Sequence, residues 1–558
     1  MRPRHGRRLL SVVLALATAG VLAVSGAWPG GGAGPGSPWP VVQHDRQHTG
    51  RSDVTGPVRY AAERCTAELT GRAMGAPVVG ADGTVYVASG DSEDAVDQWR
   101  LHALHPDCSP AWSFQLPGWP GRTVPAIGPD GTVYVHTNGT QNIAGPPHLV
   151  AVHPDGTLAW DLRYKGELAA LATSTPSSPA VAADGTIWFG STDTWLYAVE
   201  PDGDIACAAQ SPTVSSIEDS PAIARDGTLY VKDVVNELMA VDASCGLEWS
   251  LSLQPISAGM DSTVAIGADG TVYAAANEDL VAVSNTGHEL WRVDLGEPAS
   301  TPALAADGTI YVESDGLVAI TPDGDVLWSD RSCLTWTTSS GGEDDPPVVG
   351  ADATIYYQQS SAHNVVCAFR PDGTRVWTSE REFGTAGGRL AISGDGAVLT
   401  PEGGFTTPAQ LGIIEPAARA DGRIRRAGQP LLGDDIVNGS GSRQTATGSA
   451  RRGRSVTYVV SAQNDAQFAD PLALRGQGST NAFRVTYRTA TGRDVTSAVT
   501  AGSYRTVPLG PGAAEALTVT VTVRHAAAVR ARLARTLTTS SVSDPSRRDT
   551  VRFVTSRS

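Results

Sequence analysis

The stretch APVVGADGTVYV at residues 76–87 decides the fold of this chain, because the chain repeats it at regular intervals. Seven further copies follow: VPAIGPDGTVYV (124–135), SPAVAADGTIWF (178–189), SPAIARDGTLYV (220–231), STVAIGADGTVYA, TPALAADGTIYV, PPVVGADATIYY and the weaker RLAISGDGAVLT. The turn aspartates run from Asp82 to Asp395, so seven intervals span 313 residues. The mean period of about 45 residues is typical of the four-stranded blades of a β-propeller.

Each unit carries a second signature, in which a short apolar run leads into a turn and a tryptophan generally follows. Examples are AVHPDG (151–156), followed by Trp160, and AITPDG (319–324), followed by Trp328. Asp-Gly turns supply the positive φ that tight hairpins need, and alternating Val-Tyr-Val runs suit half-buried strands. Each unit is therefore predicted to consist of two β-hairpins, with the tryptophans packing between blades.

The two ends of the repeat region complement each other. The eighth unit offers three strand-like segments and no fourth, whereas VRYAAERCTAEL (58–69) precedes the first unit as a lone strand. Pairing this strand with the last unit closes the ring and removes the exposed edges of an open sheet. The chain is therefore predicted to be all-β, with an eight-bladed β-propeller over residues 58–417 that is closed by its N-terminal strand.

The segments outside the propeller differ from it in composition. Residues 1–27 combine a basic start, an apolar run and small residues, which is typical of a secretory signal peptide. Residues 28–57 are expected to be a spacer followed by a short motif. A Gly/Arg-rich linker over 418–452 leads into alternating runs over 453–558, which predict an antiparallel, immunoglobulin-like β-sandwich. No second apolar run has transmembrane length, so no integral membrane segment is expected in the mature chain.

Charge divides unevenly along the chain. Residues 418–558 contain 21 arginines, no lysine and 9 acids, a balance of +12, whereas the whole chain carries −16. The acidic propeller argues against nucleic acid as a ligand, since phosphate binding needs a cationic surface. For the basic tail two interpretations stay open. It holds the protein near an anionic cell-wall polymer, or its arginines only keep the module soluble.

The segment WPVVQHDRQHTGRSDVTGP (39–57), followed by tandem PAVxxDGTVYV and AVxPDGxxxW motifs, resembles the pyrroloquinoline-quinone-like propeller repeat family. The resemblance implies the propeller fold and two kinds of function. The family includes quinone-dependent alcohol dehydrogenases, and also secreted or periplasmic propellers without a cofactor, among them an outer-membrane assembly scaffold. The adjacent cysteine pair that marks the quinone dehydrogenases is missing here. The repeat motifs specify the fold and not an activity.

Six cysteines in a chain predicted to be exported suggest three disulfides, for which fifteen pairings exist. Cys65 and Cys207 stand where other units have their tryptophan, and Cys108 and Cys245 both lie in the turn before a fourth strand. The relation between neighbouring units therefore predicts the pairs Cys65–Cys108, Cys207–Cys245 and Cys333–Cys367. A zinc site is the alternative, but neither CxxC spacing nor a nearby His pair supports it.

One face of the propeller is expected to be the working face. Turns within hairpins are short and uniform, whereas the connections that enter each first strand, and those that join second to third strands, vary widely. We call the face with these connections the variable face. Asp219, Asp261 and Asp345 directly precede first strands, so they are expected to circle one mouth of the channel and hold a cation or a polar ligand. The alternative is that they cap loops and stay solvated.

No sequence typical of a catalytic site is present, since GxSxG, HExxH and Walker-type motifs are all missing. His105 and His153 occupy turn positions where other units have Glu200 or Arg370, so they are interpreted as interchangeable surface residues. Catalysis is likewise not expected of the other histidines of this half: His44, His48, His102, His136 and His148.

These observations favour a secreted, non-enzymatic binding or scaffolding protein without a cofactor. Its partner would be an unknown protein or glycan that contacts the variable face, and its location would be extracellular or associated with the cell wall. The alternative is an enzyme that uses the channel-mouth acids, either a quinoprotein oxidoreductase with pyrroloquinoline quinone or a polysaccharide-active enzyme.

Overall fold

The computed structural model describes residues 38–71, 73–90, 99–138, 146–164, 177–253, 262–333, 346–358, 365–379, 389–404, 407–433 and 437–558. Within these ranges the chain forms β-strands and one short helix. The predicted signal peptide, residues 1–27, lies outside the described residues. Among the described helices, none has the length and apolar character needed to cross a membrane.

The eight repeats form eight antiparallel sheets, which are the blades of the predicted propeller. The first strand is β1 (Ala61–Glu68). The first blade contains β2 (Ala73–Met74), β3 (Val78–Val79), β4 (Val85–Gly90), β5 (Arg100–Leu104) and β6 (Pro110–Gln115). The second contains β7 (Ala126–Ile127), β8 (Val133–Thr137), β9 (His148–Val152) and β10 (Leu158–Arg163). The third contains β11 (Ala180–Val181), β12 (Ile187–Gly190), β13 (Trp195–Val199) and β14 (Ile205–Gln210).

The remaining blades repeat this pattern of one two-residue first strand followed by three longer strands. The fourth contains β15 (Ala222–Ile223), β16 (Leu229–Lys232), β17 (Glu237–Val241) and β18 (Leu247–Ser252). The fifth contains β19 (Ala265–Ile266), β20 (Val272–Ala276), β21 (Asp279–Val283) and β22 (Glu289–Asp294). The sixth contains β23 (Ala303–Leu304), β24 (Ile310–Ser314), β25 (Gly316–Ile320) and β26 (Val326–Asp330). The seventh contains β27 (Val348–Val349), β28 (Ile355–Gln358), β29 (Val366–Phe369) and β30 (Arg375–Thr378).

The last blade closes the ring as predicted. It contains β31 (Ala391–Ile392), β32 (Val398–Gly404) and β33 (Thr407–Pro416), and its fourth strand is β1. The pairing of β1 with β33 is antiparallel, with Thr66 opposite Gly412. The N-terminal strand therefore joins the first and the last repeat.

The two middle strands of a blade are buried on both faces, because a neighbouring blade covers each face. Every residue of β8 and β9 is buried, whereas each residue of the outermost strand β10 is either half-buried or exposed. This difference explains why most residues of the middle strands are Val, Ile, Leu, Ala or aromatic.

Tryptophans join neighbouring blades, as the repeat predicts. The Trp112 indole Nε1 donates to the carbonyl of Pro154 in the next blade at 2.9 Å. A Cβ at Gly156 would lie 2.8 Å from the indole ring, and Gly156 has a φ of +86°. Only glycine meets both conditions at this turn. The same contact joins Trp160 to Gly203, Trp249 to Gly287, Trp291 to Gly324 and Trp328 to Gly373.

Disulfides replace this contact at two junctions. Cys207 occupies the tryptophan position and Cys245 the glycine position of the next blade, and they form a disulfide with Cα atoms 6.0 Å apart. Cys65 and Cys108 do the same between the last and the first blade. Cys108 and Cys245 keep the positive φ of the glycine, at 65° and 66°. The third bond joins Cys333 to Cys367, so the pairing matches the one that repeat equivalence predicts.

The tryptophan–glycine junctions and the disulfide junctions use equivalent positions. We therefore expect that a tryptophan–glycine junction can be converted into a disulfide junction. Trp249 and Gly287 have the same sequence separation, 38, as Cys207 and Cys245. The double variant Trp249→Cys, Gly287→Cys is expected to form a fourth disulfide. The crosslink contributes about 4 kcal/mol for a loop of this length. Lost indole packing costs about 2–4 kcal/mol, so the net change in the free energy of unfolding should be small.

Non-reducing peptide mapping and urea unfolding measure this outcome. The control Trp249→Cys loses the indole without gaining a crosslink, so its unfolding free energy should fall by the full packing loss. Free thiols in the double variant, or stability no better than that of the control, would show that the junctions are not interchangeable.

The chain after the propeller forms two packed sheets. Their elements are β34 (Ala420–Arg426), β35 (Thr445–Ala450), β36 (Ser455–Asn464), β37 (Leu472–Gly476), β38 (Phe483–Thr489), α1 (Thr496–Ala501), β39 (Tyr504–Arg505), β40 (Ala514–Val523), β41 (Arg532–Ser541) and β42 (Arg548–Arg557). The strand orders are β34-β36-β40-β38 in one sheet and β35-β42-β41-β37-β39 in the other. Side chains of both sheets share one core, where the rings of Tyr458 and Phe553 lie 5.4 Å apart. The predicted sandwich is present, and within it β35 runs parallel to β42.

The prediction of a linker over 418–452 is wrong in part, because β34 and β35 of the sandwich lie within these residues. Ile424 is fully buried in the sandwich core although it stands between arginines. The buried carboxylate of Asp549 accepts hydrogen bonds from Gly422 N at 2.9 Å and Gln444 Nε2 at 3.0 Å. These long-range bonds hold a polar, Gly-rich segment in the sheet, which composition alone did not indicate.

Candidate functional site

Residues 39–52, which we call the channel segment, fill one end of the central channel. Their backbone carbonyls accept hydrogen bonds of 2.7–2.8 Å from the innermost strands of six blades. The donors are the backbone amides of Val79, Ile127, Ile223, Ile266, Leu304 and Val349. An innermost strand has no neighbouring strand on its channel side, so these bonds satisfy donors that would otherwise need water. The sequence predicts this stretch only as a motif after a spacer and gives it no position in the fold.

The channel segment lies at the end of the channel that carries the uniform hairpin turns. Each donor is the second residue of a two-residue strand, and the turn follows directly, as Val79 precedes Gly80 and Asp82. The first strands begin at the opposite end, where the variable connections enter. The mouth with the predicted aspartates therefore faces away from the channel segment.

Buried polar contacts hold the channel segment in its folded form. Asp45 accepts hydrogen bonds from Thr49 N at 3.0 Å and from Thr49 Oγ1 at 2.6 Å. Burial opposes ionisation of Asp45, but the neighbouring His44 ring, 3.7 Å away, and the bonds from Thr49 outweigh it and leave its pKa below the usual value. His48 Nδ1 lies 3.2 Å from Val264 O, and burial lowers the pKa of His48 to about 4. The segment therefore contains an ionised carboxylate and a neutral imidazole at neutral pH.

Of the three predicted mouth residues, the structure describes Asp219. Its carboxylate lies 3.3 Å from Lys232 Nζ, and the lysine side chain is only 2% exposed. Lys232 also donates to Ser262 Oγ at 3.1 Å and to Ala275 O at 2.8 Å in the next blade. The ion pair lies within the fourth blade, and the two hydrogen bonds of Lys232 tie that blade to the fifth at the mouth. Asp219 thus faces a cation of the chain itself.

Asp261 and Asp345 lie outside the described residues. Strand register nevertheless corrects the position assigned to Asp261. The residue three positions before β15 is Asp219, and the residue three positions before β19 is Ser262. Ser262 is therefore the position equivalent to Asp219. The fifth unit has Thr263-Val264 where neighbouring units have Ser-Pro or Thr-Pro, so the proline that marks the register is missing there.

Several buried polar side chains have no hydrogen-bond partner among the described residues. They are those of Gln43 in the channel segment, Thr123 before the first strand of the second blade, and Gln358 and Thr400 on second strands. Tyr357 on the seventh blade donates to Glu313 Oε1 on the sixth at 3.0 Å. No cluster of His, Cys, Asp and Glu in the described ranges has the arrangement of a metal site.

His102, His136 and His148 are buried within the blades, and His148 Nδ1 lies 2.5 Å from Asp161 Oδ1 on the neighbouring strand. His102 Nε2 lies 3.0 Å from both Thr70 Oγ1 and Ser89 Oγ. His136 Nδ1 lies 2.8 Å from Ser177 O, in the connection to the next blade. Burial lowers the pKa of His102 and that of His136 to about 4, so both are neutral at neutral pH.

The interpretation of His105 and His153 as surface residues is confirmed, since both lie in exposed turns. His102 and His136 stand inside β5 and β8, where every neighbouring residue is apolar or small. Their place within a middle strand is the sequence signal that separates buried from exposed histidines.

The fold and this site define a closed β-propeller whose channel is filled at one end by its own N-terminal segment. A family model described as outer membrane protein assembly factor BamB matches residues 51–275, 236–377 and 276–514. These matches span most of the chain, so the chain belongs to this family, in agreement with the resemblance in the repeats.

Solved structures with a similar fold include three propellers. BamB from Moraxella catarrhalis is 14% identical with a TM-score of 0.46, and the match covers 64% of this chain and 98% of that one. The Dos1 propeller is 8% identical with a TM-score of 0.49, covering 64% and 95%. Virginiamycin B lyase from Staphylococcus aureus is 12% identical with a TM-score of 0.41, covering 63% and 99%. No curated protein matches the chain.

Proposed function

We propose that this protein is an exported, non-enzymatic binding or scaffolding propeller that contacts its partner through the variable face. The observation that carries the proposal is the channel segment, which occupies the channel end beside the uniform turns. Variation between blades is then concentrated at the opposite face, where the connections differ in length and chemistry. A family named for an assembly factor agrees with a role in binding another protein.

The described part of the variable face includes a firm surface between the third and fourth blades. Val214 and Val234 are 62% and 42% exposed, and Val234 N donates to Ser216 O at 2.9 Å. Asp233 accepts from Ser211 Oγ at 2.7 Å and so fixes both connections. Exposed valines on a rigid support suit contact with a protein partner, because no ordering cost is added on binding.

The contacts of the channel-mouth residues favour binding over catalysis. The carboxylate of Asp219 is engaged by Lys232, which would compete with a cation or a reacting group. A flat cofactor on the channel axis could not occupy the end that the channel segment fills. We therefore assign no cofactor and no reaction to the channel.

Three disulfides support an oxidising location, because such bonds persist in secreted proteins and are rare in the cytosol. Together with the predicted signal peptide, they favour an extracellular or cell-wall-associated protein.

Site-specific photo-crosslinking in the exporting cell tests the proposal. A photo-reactive phenylalanine replaces Val214 on the variable face, and in the control it replaces Leu247, which is 47% exposed at the uniform-turn end of an outer strand. A defined adduct from position 214 and none from position 247 is expected. Equal adducts from both, or none from either, would contradict the proposed face. Alcohol-dependent dye reduction after addition of pyrroloquinoline quinone and calcium would instead identify an oxidoreductase.

A further inference from the structure

One end of the C-terminal sandwich gathers seven arginines from connections that are far apart in sequence. We call it the basic end; its arginines are Arg451, Arg452 and Arg454 before β36, Arg524 and Arg530 between β40 and β41, Arg532 at the start of β41, and Arg557 at the end of β42. Six of these side chains are exposed, and Arg557 is half-buried.

Backbone and side-chain hydrogen bonds bring these connections together. Gly453 N donates to Val523 O at 2.8 Å, so the turn before β36 meets the end of β40. Arg452 Nη2 donates to Ala527 O at 3.3 Å, and Arg557 Nη1 donates to the same carbonyl. Ser558 N donates to Ala450 O at 3.1 Å. The basic end is therefore a single surface and not a set of separate loops.

Carboxylates are placed at the opposite end of the strands. No acid occurs in residues 437–464, 516–543 or 550–558, which build the basic end. The acids Asp465 and Glu515 lie where β36 ends and β40 begins. A strand of ten residues separates the two ends by about 30 Å, beyond the Debye length of about 8 Å at physiological salt.

Ion pairs in the described part of the tail lie away from the basic end. They include Arg423 with Asp421, Arg488 with Asp494 and Arg547 with Asp544. Among the described residues, no carboxylate pairs with an arginine of the basic end. Its guanidinium groups therefore remain available for an anionic ligand, and arginine suits phosphate and carboxylate because its planar fork donates two parallel hydrogen bonds.

We infer that the basic end binds an anionic polymer of the cell wall that carries phosphodiester or carboxylate groups. The ligand is a polymer because the charges are spread over an end surface and a chain with repeated charges can contact several of them at once. The proposal rests on the exported location proposed above, which brings the wall polymer within reach. The acidic propeller repels the same polymer, so it would point away from the surface that the tail binds.

Co-sedimentation of the full-length protein with purified bacterial cell walls tests this inference. The test variant is Arg451→Gln, Arg454→Gln, Arg524→Gln, whose side chains make no described hydrogen bond. The matched control is Arg475→Gln, Arg493→Gln, Arg548→Gln, which removes the same charge from exposed positions elsewhere on the sandwich. Equal melting temperatures of the three proteins establish that each is folded.

Wild type and control are expected to bind walls at about 0.05 M salt and to dissociate toward about 1 M, as screening removes the attraction. The test variant should bind at least about tenfold more weakly, since each basic residue near an anionic surface contributes severalfold. Walls stripped of their anionic polymers should retain none of the three proteins.

Three results would overturn the inference. They are equal binding by the test and control variants, full binding to stripped walls, and tighter binding to phosphatidylglycerol vesicles or to duplex DNA than to intact walls. The crosslink from position 214 does not depend on any of these outcomes, so failure of the basic end and failure of the propeller face can be told apart.

Discussion

Removing the channel segment is expected to destabilise the propeller more than any single substitution in a blade. A chain that begins at Asp53 would lose the carbonyls that accept from six inner strands, together with the buried Trp39. Loss of a buried tryptophan side chain alone costs about 3–5 kcal/mol, and each buried amide left without a partner costs about 1–3 kcal/mol more. Water entering the channel recovers part of the second cost. Urea unfolding of the truncated and full chains measures the difference.

A peptide with the sequence of residues 38–52 provides the matched test of this prediction. Added to the truncated protein, it is expected to bind and raise the midpoint of unfolding in proportion to its concentration, because it binds only the folded state. A scrambled peptide of the same composition should have no effect. A truncated chain as stable as the full chain would show that the blades close without the segment.

Acidification is expected to weaken the fold between pH 6.5 and about 4. His48, His102 and His136 have pKa values of about 4 in the folded chain, against 6.5 as the ordinary value. Between these values the unfolded chain binds more protons, so the free energy of unfolding falls as the pH falls. Each histidine contributes up to about 3 kcal/mol over this window, at about 1.4 kcal/mol for each unit of pKa difference. Below about pH 4 both states are protonated, and this loss ends.

Urea unfolding between pH 7 and pH 4 measures this slope. Replacing His102 or His136 by glutamine, which does not take up a proton, should make the slope shallower even where it lowers stability at pH 7. The control His105→Gln, His153→Gln changes exposed turns and should leave the slope as in the wild type. A slope unaffected by the buried replacements would contradict the prediction. Asp45 acts in a separate window at lower pH, because its pKa is held below the usual value.

The fold could be predicted from the sequence wherever the same turns, strands and side-chain contacts repeat from unit to unit. The Asp-Gly turns, the strand pattern and the tryptophan positions recur in most units, so each unit could be interpreted by comparison with the others. Tryptophans and glycines of other units mark which positions face each other across a junction between blades. Because Cys207 and Cys245 occupy these positions, the repeats also predict that they are paired. The one register error, at Asp261, falls where the marking proline is missing.

Composition was a poor guide where a segment is held by distant partners. The segment from 418 to 452 is rich in Gly and Arg, yet Asp549 and the sandwich core draw it into two strands. The histidines were grouped by their type, whereas burial within a middle strand decides that His136 is neutral and His153 is exposed.

The amino-acid sequence alone determined the all-β class, the number of blades, the closure by the N-terminal strand and the disulfide pairing. These features depend on turn chemistry, strand periodicity and equivalence between neighbouring units, all of which are local or repeated. Only the tertiary structure decided that residues 39–52 fill the channel, that Asp219 pairs with Lys232, and that seven arginines share one end of the sandwich. Those features arise because ring closure and sheet packing bring together residues that no repeat relates, and a contact of that kind leaves no periodic signal in the chain.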